Sequence, residues 1–148
     1  MQEAPPQISI ITVCYQDLAH LEHTVRSIAA QTYAAKEHLI VDGASSDGTV
    51  VYLESLGNQI RWVSEPDQGV YDAMNKGLRM ARGEYLLFIN AGDELADERV
   101  LERLFAVSSK ADVLYGETLV LNRQRQIIGT RTELTSRKLP AHLSKSDF

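Results

Sequence analysis

The stretch from Trp62 to Leu95 constrains the fold of this chain most, because a helix, a turn and a strand follow one another within it. Asp67 is a good N-cap residue, and the apolar side chains after it recur at helical spacing. Arg82 and Gly83 predict the end of the helix, with a cation in its last turn and a glycine in a left-handed cap. The apolar run Tyr85–Ile89 then predicts a central strand of a parallel sheet that is covered on both faces.

Amide and carboxylate groups follow this strand directly. They lie in the segment from Asn90 to Glu94, which includes Asp93. In open α/β sheets, ligands bind just outside the carboxyl ends of the strands. The sequence therefore predicts that the chemistry of this protein is centred near Asp93.

The same alternation of strands and helices precedes this stretch. Strands are predicted at Ile8–Cys14, Glu37–Val41 and Ile60–Val63, with helices from Leu18 to Thr32 and from Asp47 or Thr49 to about Ser55. The order β-α-β-α-β-α-β predicts an α/β fold whose mostly parallel sheet is flanked by helices and connected by right-handed crossovers.

The pattern weakens downstream of Asp93. A helix is predicted from Asp97 to Val107, a strand at Asp112–Tyr115, and a further strand at Thr118–Leu121 that pairs with Gln126–Thr130. We therefore divide the chain into an N-terminal tail (1–7), a ligand-binding domain (8–121) and a segment (122–148) that either opens a second region or is a polar tail.

Composition excludes several functions. The 148 residues match one domain, and a net charge of −5 without clustered Lys or Arg argues against nucleic-acid binding. The single cysteine, Cys14, excludes a disulfide framework and a multi-cysteine zinc site. The first residues lack the pattern of a secretory signal, and no apolar run approaches the ~20 residues that span a bilayer. A cytoplasmic location is expected.

Three polar loops are predicted at one edge of the sheet: Tyr15–Asp17, Asp42–Asp47 and Asn90–Asp93. An Asp-Gly pair after a strand is often only a turn, but three such loops together favour a binding site. Neither G-x-G-x-x-G after the first strand nor a P-loop motif occurs. The remaining interpretation is a nucleotide held by carboxylates and backbone, with a cation that bridges its phosphates.

Four motifs then resemble a known family. The family's first strand and the loop after it resemble I-S-I-I-T-V-C-Y-Q, and its motif V-D-D-G-S-x-D-G-T resembles V-D-G-A-S-S-D-G-T. Its motif N-x-G-x-x-x-A-R-N-x-G resembles D-Q-G-V-Y-D-A-M-N-K-G, and its L-D-x-D-D is replaced by F-I-N-A-G-D. From Ile8 to about Gly116 the chain resembles the nucleotide-binding half of family 2 glycosyltransferases with the GT-A fold. These enzymes move a sugar from a nucleotide-diphosphate donor to an acceptor.

The resemblance implies roles for individual residues. Val13, Tyr15 and Gln16 would hold the base and ribose, and Asp42 would accept a hydrogen bond from a uracil-type imide N–H. Asp93, the last acid of the metal motif, would hold Mn²⁺ or Mg²⁺ against the diphosphate. The expected substrate-binding residues are Val13, Tyr15, Gln16, Asp42, Gly43, Ser45, Asp72, Asn75 and Asn90.

Departures from the family pattern modify this expectation. Asn90 and Gly92 stand where the family has acids, so the metal motif retains one carboxylate and should bind its cation more weakly. This form resembles a bacterial subgroup linked to exopolysaccharide and colanic-acid-type synthesis. Met74 replaces an arginine. Asp72 is interpreted either as a donor-sugar contact or as an i,i+4 partner of Lys76, and Asn75 either as a site residue or as a packing residue.

An inverting transferase also needs a general base. In the family this acid lies downstream, in the acceptor-binding half, so the catalytic residue of this chain is unknown. The expected partners are a UDP-type sugar and a glycan or lipid-linked acceptor; association with a membrane surface and a homodimer are further expectations. Two rivals remain: a binding or scaffold protein without catalysis, and a dehydrogenase-like or response-regulator-like domain. The last is disfavoured because it lacks the glycine fingerprint and because Lys110 precedes the Asp112 strand.

Overall fold

The structure, a computed structural model, describes residues 6–107 and 111–135. The chain forms two compact units that divide between Leu101 and Glu102. All predicted site residues belong to the first unit, while the sequence-based boundary at residue 121 stays a prediction. The predictions for residues 1–5 and 136–148 lie outside the described residues.

A four-stranded parallel sheet with the order β3-β2-β1-β4 forms the centre of the first unit. The strands are β1 (Ile8–Cys14), β2 (Lys36–Asp42), β3 (Arg61–Ser64) and β4 (Tyr85–Phe88). Every residue of β1 is buried, and so are the last five of β2, as expected for strands whose apolar runs are covered on both faces. The predicted parallel α/β sheet is confirmed.

Helices cover both faces of this sheet. The first unit contains α1 (Leu18–Ala29), α2 (Thr49–Ser55), a 3-10 turn (Gly57–Gln59), α3 (Val70–Met80) and the start of α4 (Val100–Val107). Successive strand residues point to opposite faces. Cys14 accordingly packs with side chains of α1 and α2, whereas Val13 packs with Ala73 of α3.

The position of β4 differs from the prediction. Within the described sheet β4 is an edge strand, and Leu86 and Phe88 remain 47% and 39% exposed. The prediction of a central strand covered on both faces was therefore wrong. A short apolar run predicts a strand that is at least partly buried, but the position of that strand in the sheet depends on which other strands pair with it.

Both ends of α3 also differ from the prediction. The helix begins after Gly69, and Asp67 accepts a hydrogen bond from the Gly69 N–H at 2.8 Å rather than from a helical N–H. Gly83 is not in a left-handed conformation. A Cβ atom at Gly83 would lie 2.5 Å from the backbone nitrogen of Ser9. Glycine is thus needed here because the chain passes close to β1, not because it caps the helix.

A partly buried carboxylate, that of Glu37, links the strands at the amino edge of the sheet. Glu37 accepts hydrogen bonds from the Ser9 hydroxyl (2.6 Å), the Arg82 N–H (2.7 Å) and the Arg61 guanidinium (2.9 Å). Burial alone would raise the pKa of Glu37, but these hydrogen bonds and the charge of Arg61 hold it below its ordinary value. The network joins β1, β2 and β3 to the segment that leads into β4.

In the second unit, β5 (Leu119–Leu121) pairs antiparallel with β6 (Ile127–Thr130), as predicted, and α5 (Arg131–Thr135) follows. The strand predicted at Asp112–Tyr115 was wrong: these residues form no strand, and Val113 is 52% exposed. A β-forming sequence needs a neighbouring strand before it becomes one. Among the described helices, none is long and apolar enough to cross a bilayer.

Candidate functional site

The loops after the strands begin at one edge of the sheet because all four strands are parallel. β1 is hydrogen-bonded on both sides where it ends. The Gly43 N–H donates to the Cys14 carbonyl at 2.9 Å, and the Ala91 N–H donates to the Val13 carbonyl at 3.1 Å. The loop after β2 and the loop after β4 therefore flank the end of β1, so the three loops predicted from the sequence begin side by side.

The loop after β1 interlocks with the loop after β2. The Gln16 N–H donates to the Ser45 hydroxyl at 2.7 Å, and the Gln16 side-chain amide donates to the Ser46 hydroxyl at 3.1 Å. Gln16 has a φ of 52°, a left-handed conformation that side chains other than glycine rarely adopt. Such conformations persist where surrounding contacts fix them and are frequent at functional sites.

Asp47 holds the same two loops from the other side. Its carboxylate accepts hydrogen bonds from the Leu18 N–H at the start of α1 (2.9 Å) and from the Thr49 hydroxyl (2.6 Å) and N–H (3.1 Å) at the start of α2. The Thr49 hydroxyl is the main cause that lowers the pKa of Asp47. The N-cap position of α2 is Gly48, so Asp47 bonds the first residue of the helix from one position before the cap and does not itself cap the helix as predicted. The contact with α1 could not be predicted from the local sequence.

The carboxylate of Asp42 is fully buried and already has protein partners. It accepts hydrogen bonds from the Ser45 hydroxyl (2.5 Å) and N–H (2.9 Å) and from the Ser64 hydroxyl (2.6 Å). A carboxylate has about four acceptor positions, so these contacts use most of them. Asp42 thus shapes the loop after β2, and a ligand could reach it only if its surroundings moved.

Asp67, which the sequence predicts only as a helix cap, lies beside Tyr15 and Gly43. A Cβ atom at Gly43 would lie 2.7 Å from the Asp67 carboxylate and 3.1 Å from the Tyr15 ring. Tyr15 is 67% exposed. The partly exposed carboxylate of Asp67 and an exposed aromatic ring thus stand together at this edge. The absence of a side chain at Gly43 is what makes room for both.

The loop before α3 is held by Asp72 and Lys76. Asp72 accepts a hydrogen bond from the Gln68 N–H at 3.1 Å, and its carboxylate lies 3.8 Å from the Lys76 ammonium group. Lys76 also donates to the Pro66 carbonyl at 2.7 Å. The i,i+4 pair is therefore present, and the donor-sugar contact of Asp72 stays a prediction. Asn75 is exposed on α3, and its role is likewise untested.

Asn90 and Asp93 lie exposed in the loop after β4, which closes on itself through a hydrogen bond from the Asp93 N–H to the Asn90 carbonyl (3.0 Å). In residues 6–107 and 111–135, no cluster of three or more His, Cys, Asp or Glu side chains could hold a metal ion. His20 was not predicted as a site residue. Its side chain packs near Gly92, and its ring lies 2.6 Å from the Asp17 carboxylate.

Two residues at the end of β1 point into the core. The side chain of Val13 is only 8% exposed and packs against α3, so it is a poorer candidate for a ligand contact than Tyr15 or Gln16. Burial raises the pKa of the Cys14 thiol to about 11, which agrees with its interpretation as a small apolar residue.

Comparison with protein families and curated relatives places this geometry in context. The family described as "Glycosyl transferase family 2" matches residues 9–142. An uncharacterized glycosyltransferase of Mycobacterium tuberculosis is 40% identical over 111 residues, which are 73% of this chain and 42% of that protein. A PGL/p-HBAD biosynthesis glycosyltransferase of Mycobacterium bovis is 36% identical over 79% of this chain and 48% of its own length.

A third relative is the putative teichuronic acid biosynthesis glycosyltransferase TuaG of Bacillus subtilis. It is 33% identical over 67% of this chain and 41% of its own length. The chain spans less than half the length of these curated relatives.

Solved structures with this fold include two ligand complexes. The mannosyltransferase PcManGT from Pyrobaculum calidifontis, in complex with GDP-Man and Mn²⁺, matches with a TM-score of 0.65 and 24% identity over 82% of this chain and 37% of that one. S. aureus TarS 1-349, in complex with UDP-GlcNAc, matches with a TM-score of 0.61 and 24% identity over 68% of this chain and 30% of that one. The predicted GT-A fold is thereby confirmed.

Proposed function

This chain belongs to glycosyl transferase family 2, and from that premise we propose that it binds a UDP-type nucleotide-diphosphate sugar with a divalent cation for transfer of the sugar to an acceptor. The observation that carries the proposal is the convergence of polar loops at the carboxyl edge of the sheet. This edge presents the exposed ring of Tyr15, the partly exposed carboxylate of Asp67 and the loop that carries Asp93, whereas the carboxylate of Asp42 is buried at the end of β2. Such an edge is the usual ligand site of open α/β sheets.

The base would bind at the loops after β1 and β2. An exposed aromatic ring such as that of Tyr15 provides a face on which a base can stack. A carboxylate distinguishes a base that has an N–H donor from one that has none. Asp42 was predicted for this role, but it is buried and occupied by protein donors. Asp67 is the more accessible carboxylate, and comparison of Asp42→Asn with Asp67→Asn separates the two.

The cation would bind at Asp93, with the exposed amide oxygen of Asn90 in the same loop. Mg²⁺ and similar hard cations are often held by one or two carboxylates together with substrate phosphates and water. A single protein carboxylate therefore fits a cation whose other ligands come from the diphosphate. When bound, the cation would neutralise charge on the diphosphate leaving group. The solved complex of PcManGT with GDP-Man and Mn²⁺ supports this assignment.

Titration calorimetry with UDP, with and without Mn²⁺, tests the proposal. We expect UDP to bind more tightly when Mn²⁺ is present, and we expect Asp93→Asn to abolish most of that difference. Glu84→Gln is the matched control: Glu84 is also exposed, but it precedes β4 at the opposite edge of the sheet. Both substitutions remove one negative charge, so an effect of overall charge would appear in both variants.

Failure of the folded protein to bind UDP under either condition would refute the proposal. If Asp93→Asn and Glu84→Gln reduced the Mn²⁺-dependent gain in UDP affinity equally, Asp93 would not be the cation ligand. The proposal that the chain binds a nucleotide would still stand.

We further propose that the acceptor is a glycan or a lipid-linked glycan. The names of two relatives support this, since they refer to PGL/p-HBAD and teichuronic acid biosynthesis. Association with a membrane surface, homodimer formation and a cytoplasmic location stay predictions.

A second candidate function is binding of a nucleotide sugar without transfer. The single carboxylate in the Asn90–Asp93 loop favours it, because a second acid would bind the cation more firmly. Measurement of UDP release from a UDP-sugar separates the candidates. Release that depends on Mn²⁺ supports the transferase; tight binding without release supports the binding protein.

A further inference from the structure

The loop that carries Asp93 is held in place by α1. Residues 90–99, between β4 and α4, form neither helix nor strand, so their backbone groups need partners outside regular structure. Several of these partners are polar side chains of α1 and of the residues just after it: Thr24, Ser27 and Gln31. We propose that this polar row positions Asp93 for the cation and that Thr24 is its principal positioning residue. This inference rests on the proposed function of Asp93.

Thr24 makes the contacts closest to Asp93. Its hydroxyl accepts a hydrogen bond from the Gly92 N–H at 3.0 Å and donates one to the Asp93 carbonyl at 2.8 Å. The Thr24 side chain is completely buried. Gly92 has a φ of 99°, so the chain reverses sharply at the residue that Thr24 holds. The backbone on both sides of the Asp93 amide group is thereby fixed to α1.

Ser27 and Gln31 continue the contact along the same loop. The Ser27 hydroxyl accepts a hydrogen bond from the Leu95 N–H at 3.3 Å. The Gln31 side chain donates to the Asp97 carbonyl at 2.5 Å and accepts from the Leu101 N–H at 3.1 Å. The spacing of 24, 27 and 31 places the three side chains on one face of the helix or just after its end. Each partner lies further along the chain, so the loop runs parallel to the helix axis.

This arrangement has a functional consequence because, in the part of the chain that the structure describes, Asp93 belongs to no cluster of three or more His, Cys, Asp or Glu side chains that could hold a cation. Where one carboxylate supplies most of the protein's share of a metal site, affinity depends strongly on how well that carboxylate is preorganised. Groups that orient metal ligands typically change metal affinity by about 10–100-fold when they are removed. The Thr24 hydroxyl should act in this way through the backbone of Gly92 and Asp93.

The test compares three variants of the whole chain. Thr24→Val removes the hydroxyl and keeps the shape, whereas Thr24→Ser keeps the hydroxyl. Thr12→Val is the matched control, because Thr12 is also completely buried and its hydroxyl bonds His38 within the sheet. Two quantities are measured: the exchange rate of the Gly92 amide proton without any ligand, and the affinity for Mn²⁺ in the presence of saturating UDP.

We expect Thr24→Val to accelerate exchange of the Gly92 amide and to weaken Mn²⁺ binding by about tenfold. Its affinity for UDP without a cation should change less than about twofold. Thr24→Ser should restore the Mn²⁺ affinity, and Thr12→Val should leave both quantities near the wild-type values. Should Thr24→Val fail to fold, Ser27→Ala replaces it, with faster exchange of the Leu95 amide and a smaller loss of Mn²⁺ affinity.

Two results would overturn the positioning role: Mn²⁺ affinity in Thr24→Val equal to that of the wild type, or a loss no greater than in Thr12→Val. If the wild-type protein bound no Mn²⁺ with UDP, the proposed cation site would fail instead. The ligand-free exchange rate of the Gly92 amide would then still decide whether Thr24 restrains the loop.

Discussion

Acid should destabilise this protein through His38, a residue of β2 that lies in the core. The His38 side chain is 7% exposed, and its Nε2 atom lies 2.9 Å from the hydroxyl of Thr12. Burial lowers the pKa of His38 from 6.5 to about 4, because a charged imidazole would lose its hydration. The folded protein therefore keeps His38 neutral at pH values where the unfolded chain protonates it.

The sign and size of the effect follow from this difference. The contribution of neutral His38 to the free energy of unfolding is fully present above pH 6.5 and decreases as the pH falls below that value. It is almost entirely lost by pH 4. Linkage gives a loss of about 2 kcal/mol between pH 8 and pH 5, and of about 3 kcal/mol by pH 4. Such losses are large against the ~5–15 kcal/mol that stabilises a typical domain.

Urea unfolding at pH 8, 6 and 5 measures this contribution when the wild type is compared with His38→Gln. Glutamine does not titrate, and the titration of carboxyl groups elsewhere is common to both proteins. The free energy of unfolding should fall by about 2 kcal/mol more in the wild type than in the variant between pH 8 and pH 5. Parallel pH profiles for the two proteins would show that the reasoning about His38 is wrong.

Three further substitutions test individual contacts. Gly43→Ala would place a methyl group within 2.7 Å of the Asp67 carboxylate, which can move away. We therefore expect calorimetry to show weaker UDP binding and urea unfolding to show a loss of less than about 1 kcal/mol in stability. An unchanged affinity for UDP would contradict this. Glu37→Gln should cost about 1–3 kcal/mol in urea unfolding, because Arg61 loses its charged partner; a neutral effect would show that the network contributes little. Gly83→Ala meets rigid backbone at 2.5 Å, so thermal unfolding should reveal a loss of about 1–3 kcal/mol, and an unchanged Tm would refute the close approach.

The sequence was informative where each segment determines its own environment. The β-branched run of β1 predicts a buried strand, and the structure buries it completely. The apolar run of β4 predicts a strand equally well, yet whether a strand is central or at an edge depends on its neighbours, and β4 is at an edge of the described sheet. For the same reason the strand predicted at Asp112–Tyr115 did not form: its residues have no described strand to pair with.

The candidate site shows the same limit. Motif order predicted that the loops around Asp42 and Asp93 share one edge, and parallel pairing of the strands accounts for this. The position of Asp67 beside Gly43 could not be predicted, because it depends on how the loop after β3 folds back. Thr24 was equally hidden: a polar residue in an amphipathic helix is ordinarily expected at the surface, and only the folded chain brings it to the Asp93 loop.

The most direct measurement of the central claim is an NMR titration that follows the backbone amide groups while UDP and Mg²⁺ are added. If the polar loops at the carboxyl edge form the donor site, the amide signals of Gln16, Ser45, Gly69 and Gly92 should shift or broaden, while that of Glu84 at the opposite edge should not. Perturbations confined to the amino edge, or none at all in a folded protein, would contradict the account.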